Sequence, residues 1–151
     1  MYITSVTLFM LVLPVLSIVI ESAMGGQAIS LALAGKWFVF WAIGIRLLTA
    51  GVRQAAKPGL TAEGILGVKD KASWIVVREL GFANISIGLA GIISLWQAGW
   101  RPAAAFVGGL FLLLDGILHT QSKKRNFEEN VAMYSDLAIG IVMAVYLVSL
   151  L

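Results

Sequence analysis

Residues Ser73–Trp96 read SWIVVRELGFANISIGLAGIISLW, and the fold turns on this stretch. Its second half is apolar enough to lie in lipid. Its first half carries Arg78, Glu79 and Asn84, which hydrocarbon rejects unless other segments meet them. Three further segments are therefore expected to bring polar partners to this helix, all near one membrane face.

Composition points the same way. Of the 151 residues, 60% are hydrophobic and only 13% charged, with a mean hydropathy of +0.93. A soluble domain carries about 25% charged residues, so lipid must be the solvent for much of this surface. There are no cysteines, which excludes disulfides and thiolate metal sites. A net charge of +3 is spread over loops with no basic stripe, so nucleic acid is not an expected partner.

Outward from Ser73–Trp96, four more apolar segments appear. The expected spans are about 3–20, 34–52, 74–96, 102–119 and 131–151, in a single membrane domain covering 1–151. The first lacks the basic n-region of a signal peptide and reads as an anchor helix that Gly25-Gly26 ends. The second opens with Lys36 beside Trp37, an interfacial pair whose amine should snorkel to water. Along it, Phe38, Ala42, Arg46, Ala50 and Arg53 share one face. Lys57-Pro58-Gly59 stops that helix, and Thr61 could cap a short interfacial helix to Val68. Ser73 is the expected N-cap of the third span, whose Ser86, Ala90 and Ser94 offer a small-residue contact face. Pro102 suits the first turn of the fourth span, where Ala104, Gly108, Leu112 and Gly116 form a stripe. Asn126 with Glu129 is a capping pattern for the last helix, where Asp136, Gly140 and Ala144 step along one face.

Loop charges set the expected orientation. Arg53, Lys57, Lys69, Lys71, Arg78, Lys123, Lys124 and Arg125 fall on one side, and Lys36 and Arg101 on the other. Eight against two makes the first side cytoplasmic, with the N-terminus inside and the C-terminus outside.

The intramembrane polar residues agree in depth. Arg46, Glu79, Asp115, His119 and Asp136 come from four segments and all fall in the cytoplasmic half, and Asn84 joins them as a candidate ligand-binding residue. Charges at a span centre cost about 2.5–3.5 kcal/mol each and survive when they face the bundle and pair. Arg46 with Glu79 is the expected interhelix ion pair, and Asp115 with His119 a local one four residues apart. If Arg53 and Arg78 turn away, the carboxylates outnumber the cations, and one is expected to hold a proton or a bound cation. Glu79, Asp115, His119 and Asp136 have metal-ligand chemistry. With one histidine and no Glu-x-x-His pair they lack the di-iron signature, so no metal is expected. No catalytic nucleophile motif, phosphate loop or dinucleotide fingerprint occurs.

The strings FWAIGIRLLTAG, KPGLTAEGILG, RELGFANISIGLAGIISL, LLLDGILHT and ENVAMYSDL resemble an uncharacterised bacterial family of small membrane proteins, similar to the broader DoxX-like group. That resemblance implies an all-α transmembrane bundle with a four-helix core, here preceded by an extra N-terminal helix, in the bacterial inner membrane. It also implies a bundle able to hold an apolar ligand or a partner protein, because the group includes a subunit tied to thiosulfate and quinone chemistry and a relative acting as a cargo receptor. Two readings of function follow. The first is a non-enzymatic accessory or binding protein, in a larger membrane complex or a homo-oligomer. The second is a redox or transport component whose polar cluster serves a quinone, a lipid or protons. In the second, His119, Arg46 or Asn84 would donate to a quinone carbonyl, and Phe82, Phe111 and Trp41 would wall the ring.

Overall fold

The computed structural model describes residues 2–26, 28–64, 67–122 and 125–151. Apolar runs without a strand period make most of these residues helical, and no strand occurs among them. The helices are α1 (Tyr2–Gly25), α2 (Leu31–Ala56), α3 (Pro58–Gly64), α4 (Ser73–Ile93), α5 (Arg101–Thr120) and α6 (Phe127–Val148). All but the short α3 are long and apolar enough to cross a membrane. At about 1.5 Å per residue, each of the five covers a ~30 Å hydrocarbon core.

Local chemistry fixes the helix ends. Gly26 closes α1 in the left-handed region (φ 59°), where a Cβ would be strained. Ser30 caps α2 by accepting from Leu33 N, and Asn126 caps α6 by accepting from Glu129 N at 2.8 Å. The start of α4 differs from expectation. Asp70 organises that turn, its carboxylate accepting from Ala72 N while its carbonyl takes the Ser73 hydroxyl, so Ser73 is already inside the helix. Likewise α3 begins at Pro58, ahead of Thr61, which is buried rather than capping. Ile65 and Leu66, within the expected 61–68 helix, lie outside the described residues, as do Lys123 and Lys124 of the basic loop.

The helices pack most extensively as α2 with α4 and α5 with α6. Backbone approach explains the first pair. A Cβ on Gly88 would lie 2.5 Å from Leu48 N, and one on Gly81 or Gly91 would lie 2.7 Å from Ala55 N or Gly44 N. Such contact is possible only without side chains. The contact line on α4 is therefore Val77, Gly81, Asn84, Gly88 and Gly91. Of the expected Ser86, Ala90, Ser94 face, Ser94 is fully buried and Ala90 packs on the core, but Ser86 is exposed and its hydroxyl bonds back to Phe82 O. On α5 the Ala104, Gly108, Leu112, Gly116 stripe is buried as read. On α6 Asp136 and Gly140 are buried but Ala144 is exposed, because the seam continues through Met143 and Tyr146.

Leu8–Val12 of α1 and Val39–Ile45 of α2 are wound as wide π turns that lie against each other. Phe9 stacks on Trp41 there, with ring centroids 6.2 Å apart. This part of α2 is packed by α4, α5 and α1 at once, so the consecutive residues Ala42, Ile43 and Gly44 are all buried. Around this point sits the core, with Val39, Ile43, Ala105, Leu112 and Met143 nearly inaccessible. Leu11, Leu16 and Ile20 of α1, Leu114 and Leu118 of α5, and Ile141 and Val148 of α6 point outward, the surface that lipid would cover.

Beyond the core, at the end where α1 finishes and α2 begins, Lys36 does not simply reach for water. Its Nζ pairs with Glu21 at 2.7 Å, and Trp37 Nε1 donates to the same carboxylate at 2.7 Å.

Candidate functional site

At the opposite end of the bundle the start of α1, the last turns of α2, α3, the first half of α4, the end of α5 and the start of α6 enclose a cavity of about 250 Å³. The face read along α2 is what builds it, for Arg46, Ala50 and Arg53 all line it. Arg46 follows directly on the π turn and carries its guanidinium over Tyr2, 5.5 Å from the ring centroid.

Five of the six residues singled out from the sequence line this cavity: Arg46, Asn84, Asp115, His119 and Asp136. Glu79 does not. It is exposed on α4, and among the described residues no ion pair joins it to Arg46. The reason is angular. Asn84 points along the glycine seam, and Glu79, five residues earlier, lies well off that seam on a 3.6-residue helix. Arg78 is exposed as well. The expected aromatic wall also changes. Phe111 lines the cavity and Phe9 joins it, whereas Phe82 is 55% exposed and Trp41 is held by Ser17 through a 2.9 Å hydrogen bond.

The cavity has two chemically distinct ends. Toward α2 and α4, Asn84 Nδ2 donates to Gln54 Oε1 at 2.7 Å, while Asn84 Oδ1 and Arg46 Nε are buried without a hydrogen-bond partner among the described residues. Leaving such groups unpaired costs about 1–3 kcal/mol each, so this end has unused hydrogen-bonding capacity. Toward α5 and α6, His119 is the hub. Its Nε2 lies 3.9 Å from Asp115 Oδ2 and its Nδ1 lies 3.4 Å from Glu129 Oε1. Asp136 completes this end; ligand atoms of Asp115, His119 and Asp136 all fall within 4.8 Å of one another. Arg125 does not neutralise the cluster, because its guanidinium is spent on the carbonyls of His119, Thr120 and Ser122 and on Asn130.

The sequence marks Glu129 only as part of a helix cap. Its distance from Asp136, seven residues or about two turns, could have placed both on one face of α6. Gln54 and Tyr2 carry no comparable local signal, since each acts through a residue far away in the chain.

A family model matches residues 4–150. The chain belongs to DUF6790, a family of unknown function. No curated protein and no solved structure matches it. The family match covers the cavity residues from Ser5 onward and gives no link to the DoxX-like group.

Proposed function

We propose that this DUF6790 member is a non-enzymatic membrane binding protein whose cavity takes the head group of a small amphiphile. The observation that carries this reading is the unfilled hydrogen-bonding capacity of Arg46 and Asn84 beside an apolar wall of Phe9, Leu47, Leu80 and Phe111. Ligand sites combine such a wall with a few convergent polar groups. A volume of about 250 Å³ suits a ring or head group rather than a whole lipid, so the tail would leave between helices. Arg46 offers a donor to an acceptor such as a quinone carbonyl, and Asn84 Oδ1 accepts from a hydroxyl. The likeness of several sequence strings to the DoxX-like group makes a quinone the first ligand to try, a choice by analogy.

Charge bias supports a cavity open toward the cytoplasm in a bacterial inner membrane. Membership of a larger membrane complex or a homo-oligomer is compatible with this role, and native mass spectrometry of gently extracted protein would reveal either state.

The direct test is tryptophan-fluorescence quenching by a short-chain quinone, with the protein in lipid nanodiscs. Saturable quenching is expected, weakened at least tenfold in Arg46→Met and in Phe111→Ala. Non-saturable quenching that is equal in all three proteins would sink the reading.

A further inference from the structure

We propose that the α5–α6 end of the cavity is a binding site for a divalent transition cation, ligated by Asp115, His119 and Asp136. This goes beyond the amphiphile reading and does not rest on it, since the two ends use different residues.

Three observations carry the inference. The first is convergence, as ligand atoms from the three residues lie within 4.8 Å of one another. Ligands of a tetrahedral ion at ~2.0–2.1 Å sit ~3.3 Å apart, so closure by at most about 1.5 Å is needed, within reach of side-chain rotation. The second is Asp136, which is only 6% exposed, lines the cavity, and makes no hydrogen bond among the described residues. A carboxylate buried in that way without a donor is one that a cation would satisfy. The third is Glu129. Its carboxylate sits 3.4 Å from His119 Nδ1, so a proton on Nδ1 leaves the Nε2 lone pair turned toward Asp115, 3.9 Å away. Carboxylate–imidazole–metal relays are built in this order, the outer carboxylate fixing tautomer and ring angle.

The competing explanation is that Arg46 alone compensates the two aspartates. Arg46 lines the same cavity, yet it forms no ion pair with either within 4.0 Å. Arg53, at the rim, is exposed. Lys36 and Arg101 lie at the other end of the bundle. Two carboxylates and one neutral imidazole suit Mn²⁺ or Zn²⁺, with water completing the shell, better than Mg²⁺, which prefers oxygen alone.

The test is titration of the metal-stripped protein in nanodiscs with MnCl₂, followed by the loss of free Mn²⁺ signal in electron paramagnetic resonance, with ZnCl₂ as competitor. One saturable site per chain is expected, displaced by Zn²⁺ and not by equimolar Mg²⁺. Asp136→Asn and His119→Gln should each weaken binding at least 100-fold. Glu129→Gln should weaken it 10- to 100-fold, the range for an outer-shell partner. Glu79→Gln, on the exposed face, should leave it unchanged. Should Asp136→Asn fail to fold, the partly exposed Asp115→Asn and Glu129→Gln keep the test open. The proposal is overturned by the absence of a saturable site, or by one that survives His119→Gln and Asp115→Asn at full affinity. Quinone quenching is read without metal, so either result can fail alone.

Discussion

Asn84 Nδ2 donates to Gln54 Oε1 across 2.7 Å and so joins α4 to α2 beside the cavity. The bond is the side-chain counterpart of the glycine seam, which brings the two backbones close enough for short amides to meet. Interhelix hydrogen bonds in lipid contribute about 0.6 kcal/mol on average and at most about 1.7. A double-mutant cycle of Asn84→Ala and Gln54→Ala, read from unfolding in mixed micelles, should return a coupling in that range. A coupling indistinguishable from zero would mean the amides do not meet in the membrane.

The seam itself should be far less tolerant than that bond. A Cβ on Gly88 would sit 2.5 Å from Leu48 N, and backbone cannot step aside as a flexible side chain can. Overpacking of this kind costs about 1–3 kcal/mol. Gly88→Ala should lower the thermal midpoint of the purified protein by several degrees, while Gly99→Ala, where a Cβ meets nothing within 4 Å, should not. Equal midpoints for the two variants would show that α2 and α4 are further apart than described.

How much of this could be read in advance follows from what each inference needed. Hydropathy alone supplies five long apolar helices, because length and polarity are local properties. The α2 face carrying Arg46, Ala50 and Arg53 was also legible, since a single period relates its members. The Arg46–Glu79 pair was not, because it required the rotation of α4 about its axis. The glycines, by admitting α2 along Gly81 and Gly88, impose a rotation that turns Glu79 outward. The π turns of α1 and α2 are likewise set by packing between helices, with no marker in composition. Glu129 has an evident local job in the α6 cap, and that job masks its second one beside His119.

Orientation can be settled with the chain's own lack of cysteine, since one introduced thiol is then an unambiguous reporter. Gly99→Cys sits in the α4–α5 connection and Lys69→Cys precedes α4, both exposed and at opposite ends of the bundle. With the cavity end cytoplasmic, a membrane-impermeant maleimide should label Gly99→Cys in intact cells and Lys69→Cys only after permeabilisation. The reverse pattern would place the cavity mouth outside.

Arg46 offers the sharpest separation of structural from functional charge. Its guanidinium rests over Tyr2, its Nε has no hydrogen-bond partner, and no carboxylate lies within 4.0 Å among the described residues. Held in that way, the cation is half-buried and gains its contact with Tyr2 but no short ion pair. A charge taken out of water without a short ion pair carries a desolvation cost that an apolar side chain of similar length does not. Arg46→Met should therefore unfold at the same or a higher temperature than the wild type, even though it loses quinone quenching. Glu21→Gln makes the contrast, because Glu21 is bound by both Lys36 and Trp37, and its loss should cost less than about 1 kcal/mol for a partly exposed pair and lower the midpoint slightly. If Arg46→Met instead proves strongly destabilising, the arginine is holding the helices together, and its place at the cavity would be architectural.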